Sequence, residues 1–188
     1  MSGLVKHRTA TRSPRKTAAA IVVGTTVGAL AAFALGWIGG LRINLTPSEP
    51  LGLWRIVSLD RPAAVGDVVF ICPPETATMR EARKRGYLRQ GLCPVGYAPL
   101  IKTIVGVEGQ EVEVGIDVRI AAHPLPRSHV SVFDGDGRSL ARFSGGLIPA
   151  GYVFVHSDFI GSFDSRYFGP IPASGILGLA LEVWTYAP

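Results

Sequence analysis

Among its 188 residues the chain carries only two cysteines, two methionines and four histidines. Cys72 and Cys93 have no histidine near them in sequence, which makes a poor zinc site, and no metal or cofactor is expected. Acidic residues are missing from the first 17 positions, which hold Lys6, Arg8, Arg12, Arg15 and Lys16. Removing those five from 19 basic residues leaves 14, against 14 acidic ones. The net charge of +5 therefore belongs to the tail. A basic footprint spread over the remainder is excluded, and no nucleic-acid partner is expected.

Charge of either sign is absent from Ala18 to Leu41, a run of 24 residues. As a helix it would span about 36 Å, more than the ~30 Å hydrocarbon core of a bilayer. Its glycines, Gly24, Gly28, Gly36, Gly39 and Gly40, are tolerated better in lipid than in water. The run reads as one transmembrane helix whose basic flank stays cytoplasmic. Three parts follow: a basic cytoplasmic tail (1–17), a membrane anchor (18–41) and an exported domain (42–188). Membrane lipid is thus an expected partner. The apolar run exceeds the roughly 7–15-residue core of a signal peptide, which favours a retained anchor. Gly39-Gly40 leaves a small-residue cleavage site as the alternative.

No internal repeat and no long linker divides the exported part. The 23 glycines and 14 prolines cut the chain into short pieces, which favours strands and turns. Strand-like runs are 54–57, 67–71, 101–107, 111–114, 152–156 and 176–185. Two more, His129 to Phe133 and Ser139 to Phe143, flank Asp134-Gly135-Asp136-Gly137, a hairpin signal. That segment lacks the later ligands of a calcium loop, so a plain turn is expected. One helix is expected from about Glu75 to Leu88, carrying Arg80, Arg83, Lys84 and Arg85 on a solvated face or against anionic lipid. The fold expected is mainly β and partly barrel-like, with its entrance facing the bilayer. In an oxidising compartment Cys72 and Cys93 could pair, closing a loop of about 20 residues worth about 3 kcal/mol; two separate thiols are the other reading.

Three clusters carry possible chemistry. Ser48 sits in Asn44-Leu45-Thr46-Pro47-Ser48-Glu49-Pro50, where two prolines stiffen a turn able to expose a hydroxyl beside a backbone N–H. A serine nucleophile needs a base. His156, in Val155-His156-Ser157-Asp158, could supply one in a Ser-His-Asp arrangement. Lys102 could do so if its strand turns it inward, because burial would leave a neutral amine near neutral pH. A strand lysine pointing to solvent is the ordinary alternative. The third cluster, from Gly161 to Pro172, alone reads as a polar turn with a structural Asp164–Arg166 pair.

Four motifs then occur in order: Thr46-Pro47-Ser48; Gly66-Asp67-Val68-Val69-Phe70; Ile101-Lys102-Thr103-Ile104-Val105-Gly106-Val107-Glu108-Gly109; and Asp164-Ser165-Arg166-Tyr167-Phe168-Gly169. Together, behind an N-terminal anchor, they resemble the type I signal peptidase superfamily. Asn44-Leu45-Thr46-Pro47-Ser48-Glu49-Pro50-Leu51-Gly52-Leu53-Trp54 resembles the TraF branch, the conjugative transfer peptidases that mature pilin subunits. The resemblance implies a signal-peptidase-like β domain and a membrane-anchored serine endopeptidase. Its place would be the bacterial inner membrane, with the catalytic domain periplasmic. It implies Ser48 as nucleophile, Lys102 as general base, Thr46 as an oxyanion donor beside the Ser48 N–H, and Ser162 as orienter of the lysine amine. Asp164 is implied as a required acid paired with Arg166. The substrate implied is a pilin-like precursor with a small residue before the cut, hydrolysed or closed into a ring. A general signal peptidase and a non-catalytic, tethered assembly factor of a secretion channel are the alternatives. Pro47, and the absence of a methionine after Ser48, depart from the ordinary signal peptidase pattern.

Overall fold

A computed structural model describes residues 14–187, in two compact units that divide after Gly39. The first is helix α1 (Pro14–Ile38), long and apolar enough to cross a membrane. Its large apolar side chains are exposed along the whole length. Thr25 and Thr26 return their hydroxyls to the carbonyls of Ile21 and Val22, at 3.0 and 2.9 Å, so they present little unpaired polarity. The helix stops short of the expected residue 41. Gly40 takes φ +82°, where an added Cβ would lie 2.7 Å from the Ile56 carbonyl oxygen, and Leu41 already begins a strand.

The second unit is mainly β. Its strands are β1 (Leu41–Asn44), β2 (Leu51–Val57), β3 (Val68–Ile71), β4 (Leu100–Val107), β5 (Glu111–Val114), β6 (Val118–Ile120), β7 (His123–Pro124), β8 (Gly146–Leu147), β9 (Tyr152–His156), β10 (Ile171–Pro172) and β11 (Ile176–Tyr186). Seven pair antiparallel in the order β1-β2-β11-β3-β4-β9-β10, and four in the order β7-β6-β5-β8. β1 and β10 end the larger sheet, so among the described residues its hydrogen-bonded order does not close.

Alternation along these strands builds three apolar clusters. Val69, Ile71, Ile104 and Val155 pack with Met79 and Leu88. Val112, Ile120 and Ile148 pack with Phe154 and Tyr167. Trp54, Phe70 and Ile101 form the third, on the opposite face of the large sheet from Val69. The other face of β1, β2 and β11 stays open: register aligns Ile43, Leu53 and Trp184, and Trp184 is 80% exposed.

Helix α2 (Ala77–Lys84) is shorter than the expected 75–88. Thr76 caps it by accepting the Met79 N–H at 3.1 Å, and Gly86, at φ +83°, follows its end. Met79 and Ala82 face the core. Cys72 and Cys93 form a disulfide with Cα atoms 5.6 Å apart, enclosing this helix. The expected strands at 129–133 and 139–143 do not form; a single bridge joins Phe133 to Ser139. Asp134 explains this, because its carboxylate gathers the N–H groups of Asp136 and Arg138, the Arg138 guanidinium and the Tyr87 hydroxyl into a compact turn.

Candidate active site

The Ser48 turn is held by a residue the sequence reading passed over. Asn44, 7% exposed at the end of β1, donates its amide to the carbonyls of Thr46, Glu49 and Pro50 at 2.9–3.0 Å. Its side-chain oxygen accepts the Thr46 N–H at 3.0 Å and the Thr46 hydroxyl at 2.7 Å. The Asn-x-Thr spacing, an Asx-turn pattern, was the available signal. The buried Trp54 indole donates to the Pro50 carbonyl at 2.9 Å, and the Ser157 hydroxyl donates to the Ser48 carbonyl. Three anchors from β1, β2 and the end of β9 thus fix one short loop. Gly52 lets β2 run close to β11: at φ +128°, an added Cβ would meet the Trp184 carbonyl oxygen at 2.3 Å.

Thr46 gives its hydroxyl proton to Asn44, so in this arrangement it is not free to donate to an oxyanion. The Ser48 N–H donates to no described residue.

Ser48 lines a cleft of about 650 Å³. Glu49, His156 and Asp158 share that wall, with Thr103 and Val105 from β4. Lys102 is not a lining residue. It lies between Ile101 and Thr103, pairs across the sheet with Val69, and is 2% exposed. Strand alternation therefore turns it to the side opposite Thr103. Among the described residues it forms no side-chain hydrogen bond or ion pair. Burial pushes its pKa down to about 8, against the pull of the Asp164 and Glu49 charges. Glu49, next to the serine, is pushed up to about 7 by burial; Lys102 opposes this, and Asp158 and Glu182 add to it. Glu49 and Lys102 thus act on each other's charge.

His156 is 2% exposed, and burial lowers its pKa, so it is neutral at pH 7. Its Nδ1 stands 3.9 Å from Asp158, beyond hydrogen-bond length, and its Nε2 has no partner among the described residues. The imidazole shares the cleft with Ser48 but lacks the bonded carboxylate that orients a triad histidine.

Asp164 and Arg166 are fully buried and joined at 2.8 Å through two guanidinium nitrogens. Asp164 also caps the short helix α3 (Ser165–Phe168) and accepts the Ser157 N–H at 3.2 Å. Arg166 reaches the carbonyls of His129, Phe159 and Ser162. The pair therefore ties the cleft-lining segment after β9 to α3 and to the loop before residue 130. Ser162 does not bond Lys102: its hydroxyl is buried without a partner among the described residues, and the residue lines a second cavity with Tyr87 and Phe163. The expected lysine-orienting contact is absent there. Among the described residues no group of histidines, cysteines and carboxylates could hold a metal ion.

A family profile described as "Signal peptidase, peptidase S26" matches residues 15–185. "Probable conjugal transfer protein TraF" of Sinorhizobium fredii is 65% identical over 163 residues, covering 87% of each chain. "Conjugal transfer protein TraF" of Agrobacterium fabrum is 55% identical over 157 residues, covering 84% of this chain and 89% of that one. "Plasmid transfer protein TraF" of Escherichia coli is 37% identical over 175 residues, covering 91% and 97%. A solved signal peptidase I from Enterococcus faecalis aligns with 63% of this chain and 97% of its own at 20% identity and a TM-score of 0.39.

Proposed function

The chain belongs to the S26 signal peptidase family, in its conjugal-transfer TraF branch, and from that footing we propose that it is a membrane-anchored serine endopeptidase with a Ser48/Lys102 dyad that matures a pilin-like precursor. The observation that carries the dyad is Lys102 itself. A buried lysine with no ion pair is costly to keep charged, and it stands within electrostatic reach of the residue beside Ser48.

The chemistry is acyl transfer. Neutral Lys102 takes the Ser48 proton as Oγ bonds the peptide carbonyl carbon. The Ser48 N–H, unengaged by any described residue, supports the oxyanion. Lysine then returns the proton to the leaving amine, and an acyl-enzyme remains. Water resolves it by hydrolysis; the substrate's own amino terminus resolves it by forming a peptide bond and closing a ring. No hydrogen bond joins Lys102 to Ser48 in this structure, and the first step needs the lysine amine within hydrogen-bond reach of the serine hydroxyl.

The localisation proposed is read from the anchor. Helix α1, with basic residues before it and no acidic ones, supports an inner-membrane position with a cytoplasmic N-terminus and a periplasmic catalytic unit. The open apolar face around Ile43 and Trp184 is consistent with membrane lipid as a partner.

The test is processing of a co-expressed conjugative pilin precursor. Ser48→Ala and Lys102→Ala should each abolish the mature form, and survival of processing in either variant rejects the dyad. A second base reading has one observation in its favour, since His156 shares the cleft with Ser48. If it holds, His156→Ala inactivates while Lys102→Ala does not. Efficient cutting of an unrelated secreted precursor would favour a general signal peptidase, and an intact fold with no cutting of either would favour an assembly role.

A further inference from the structure

The titratable residues that line the Ser48 cleft are mostly acidic. They are Glu49, Asp158 and the buried, neutral His156. No lysine or arginine lines it. We propose that this cleft recognises a substrate ammonium group, held between the Glu49 and Asp158 carboxylates beside Ser48. The inference rests on the reading of the cleft as the place where a peptide is cut, and it names the substrate feature that the cleft selects.

The two carboxylates come from separate segments, Glu49 from the serine turn and Asp158 from the residues after β9. The Ser157 hydroxyl holds the Ser48 carbonyl, so one bond links those segments between the two acids. His156 supplies an independent sign that the wall awaits a partner, because it is 2% exposed and its Nε2 is unpaired among the described residues. A polar atom buried without a partner costs free energy until something satisfies it. The prolines and Val105 supply apolar walls, which strengthen a charge contact by excluding water.

The surrounding charges set the conditions. Glu49 faces Lys102, Asp158 and Glu182, and its pKa lies near 7. Asp158 is paired with Arg127 at 2.7 Å on the exposed rim, where the pair is screened. Arg127 thus blunts Asp158 and leaves Glu49 as the stronger determinant. When Lys102 is neutral, as its role as a base requires, the cation that favours ionised Glu49 is gone, and Glu49 becomes a full carboxylate only as pH rises further. Selection of an ammonium group therefore strengthens as pH rises through 7. A lysine side chain keeps its charge there, whereas a chain amino terminus loses its own near pH 8.

The ammonium can come from a lysine side chain or from a free amino terminus, and binding separates them. The probes are fluorescent alanine-based peptides, offered to the full-length Ser48→Ala chain in detergent, so that nothing is cut. One carries a lysine and an acetylated terminus, one norleucine and an acetylated terminus, and one norleucine and a free terminus. At about pH 7.5 and low salt, where both ammonium groups are mostly charged, the ammonium peptide that the cleft selects should bind about tenfold more tightly than the neutral one, the ratio expected for one partly desolvated charge pair. Glu49→Gln with Asp158→Asn should remove that ratio without weakening the neutral peptide, and 1 M salt should shrink it. If only the free-terminus peptide gains, the ammonium recognised is the chain terminus; if only the lysine peptide gains, it is a side chain. Equal binding of charged and neutral peptides, or a preference that survives the double variant, overturns the inference alone. No binding by any peptide overturns the peptide-cutting reading and the inference with it.

Discussion

A lysine enclosed in a strand is unstable as an ammonium, and this has two measurable consequences for Lys102. Its pKa of about 8 in the folded chain lies below the ordinary 10.5. The unfolded chain therefore binds the proton more readily between those values. Stability rises with pH across that window, and the penalty is complete below about pH 8. Lys102→Met should stabilise the chain at pH 7 by on the order of 3 kcal/mol, an advantage that fades toward pH 10. Thermal unfolding of the two chains at pH 7 and 10 checks this. The same variant should be inactive, and wild-type kcat should climb through about pH 8. A climb completed below pH 6.5 would point to His156. Arg166 shows the reverse case. It is paired with Asp164 out of water, so Arg166→Met strands a buried carboxylate and should cost about 3–5 kcal/mol, read as a lower denaturation midpoint. The sequence could present Lys102, Asp164 and Arg166 as candidates, but burial decides their chemistry and burial is a tertiary property.

Loops and strands add what single side chains cannot. The Ser48 turn is shaped by Asn44 from β1, Trp54 from β2 and Ser157 from the end of β9. Asn44→Ala removes five hydrogen bonds from that loop at one stroke. We expect kcat to fall about 100-fold with KM changed far less, since misplacing a nucleophile by about 1 Å has that effect. A processing assay of purified variant against wild type measures it, and parallel circular dichroism should show the β signal retained. The runs 101–107 and 152–156 were legible because β-branched and aromatic residues are concentrated there between turn signals, although 153–156 are buried without alternation. The segments from 129 to 143 were not, because the Asp134 carboxylate draws backbone N–H groups into a turn that no period reveals. Helix α2 was legible as a helix, while its length depended on a threonine cap and a glycine stop.

Across the whole chain, division after Gly39 separates an apolar helix from a unit with its own three apolar clusters. A chain beginning at Gly40 should keep its β signal and cooperative unfolding, checked by circular dichroism, because none of those clusters draws on α1. Its open face around Ile43, Leu181 and Trp184 should still bring it onto lipid vesicles, and Trp184→Asp should weaken that partition in a sedimentation assay. Amino-acid order alone established the uncharged 24-residue run, the balanced charge of residues 42–188, the mainly β character and the family motifs. Those are properties of composition and period, which survive without any knowledge of neighbours. Tertiary structure alone decided that Thr46 spends its proton on Asn44, that the Ser162 hydroxyl makes no hydrogen bond to Lys102, and that Glu49 and Asp158 line one cleft with Ser48. Each of those depends on which strand lies beside which, and distances across a sheet are set by packing and hydrogen bonding between segments far apart in sequence.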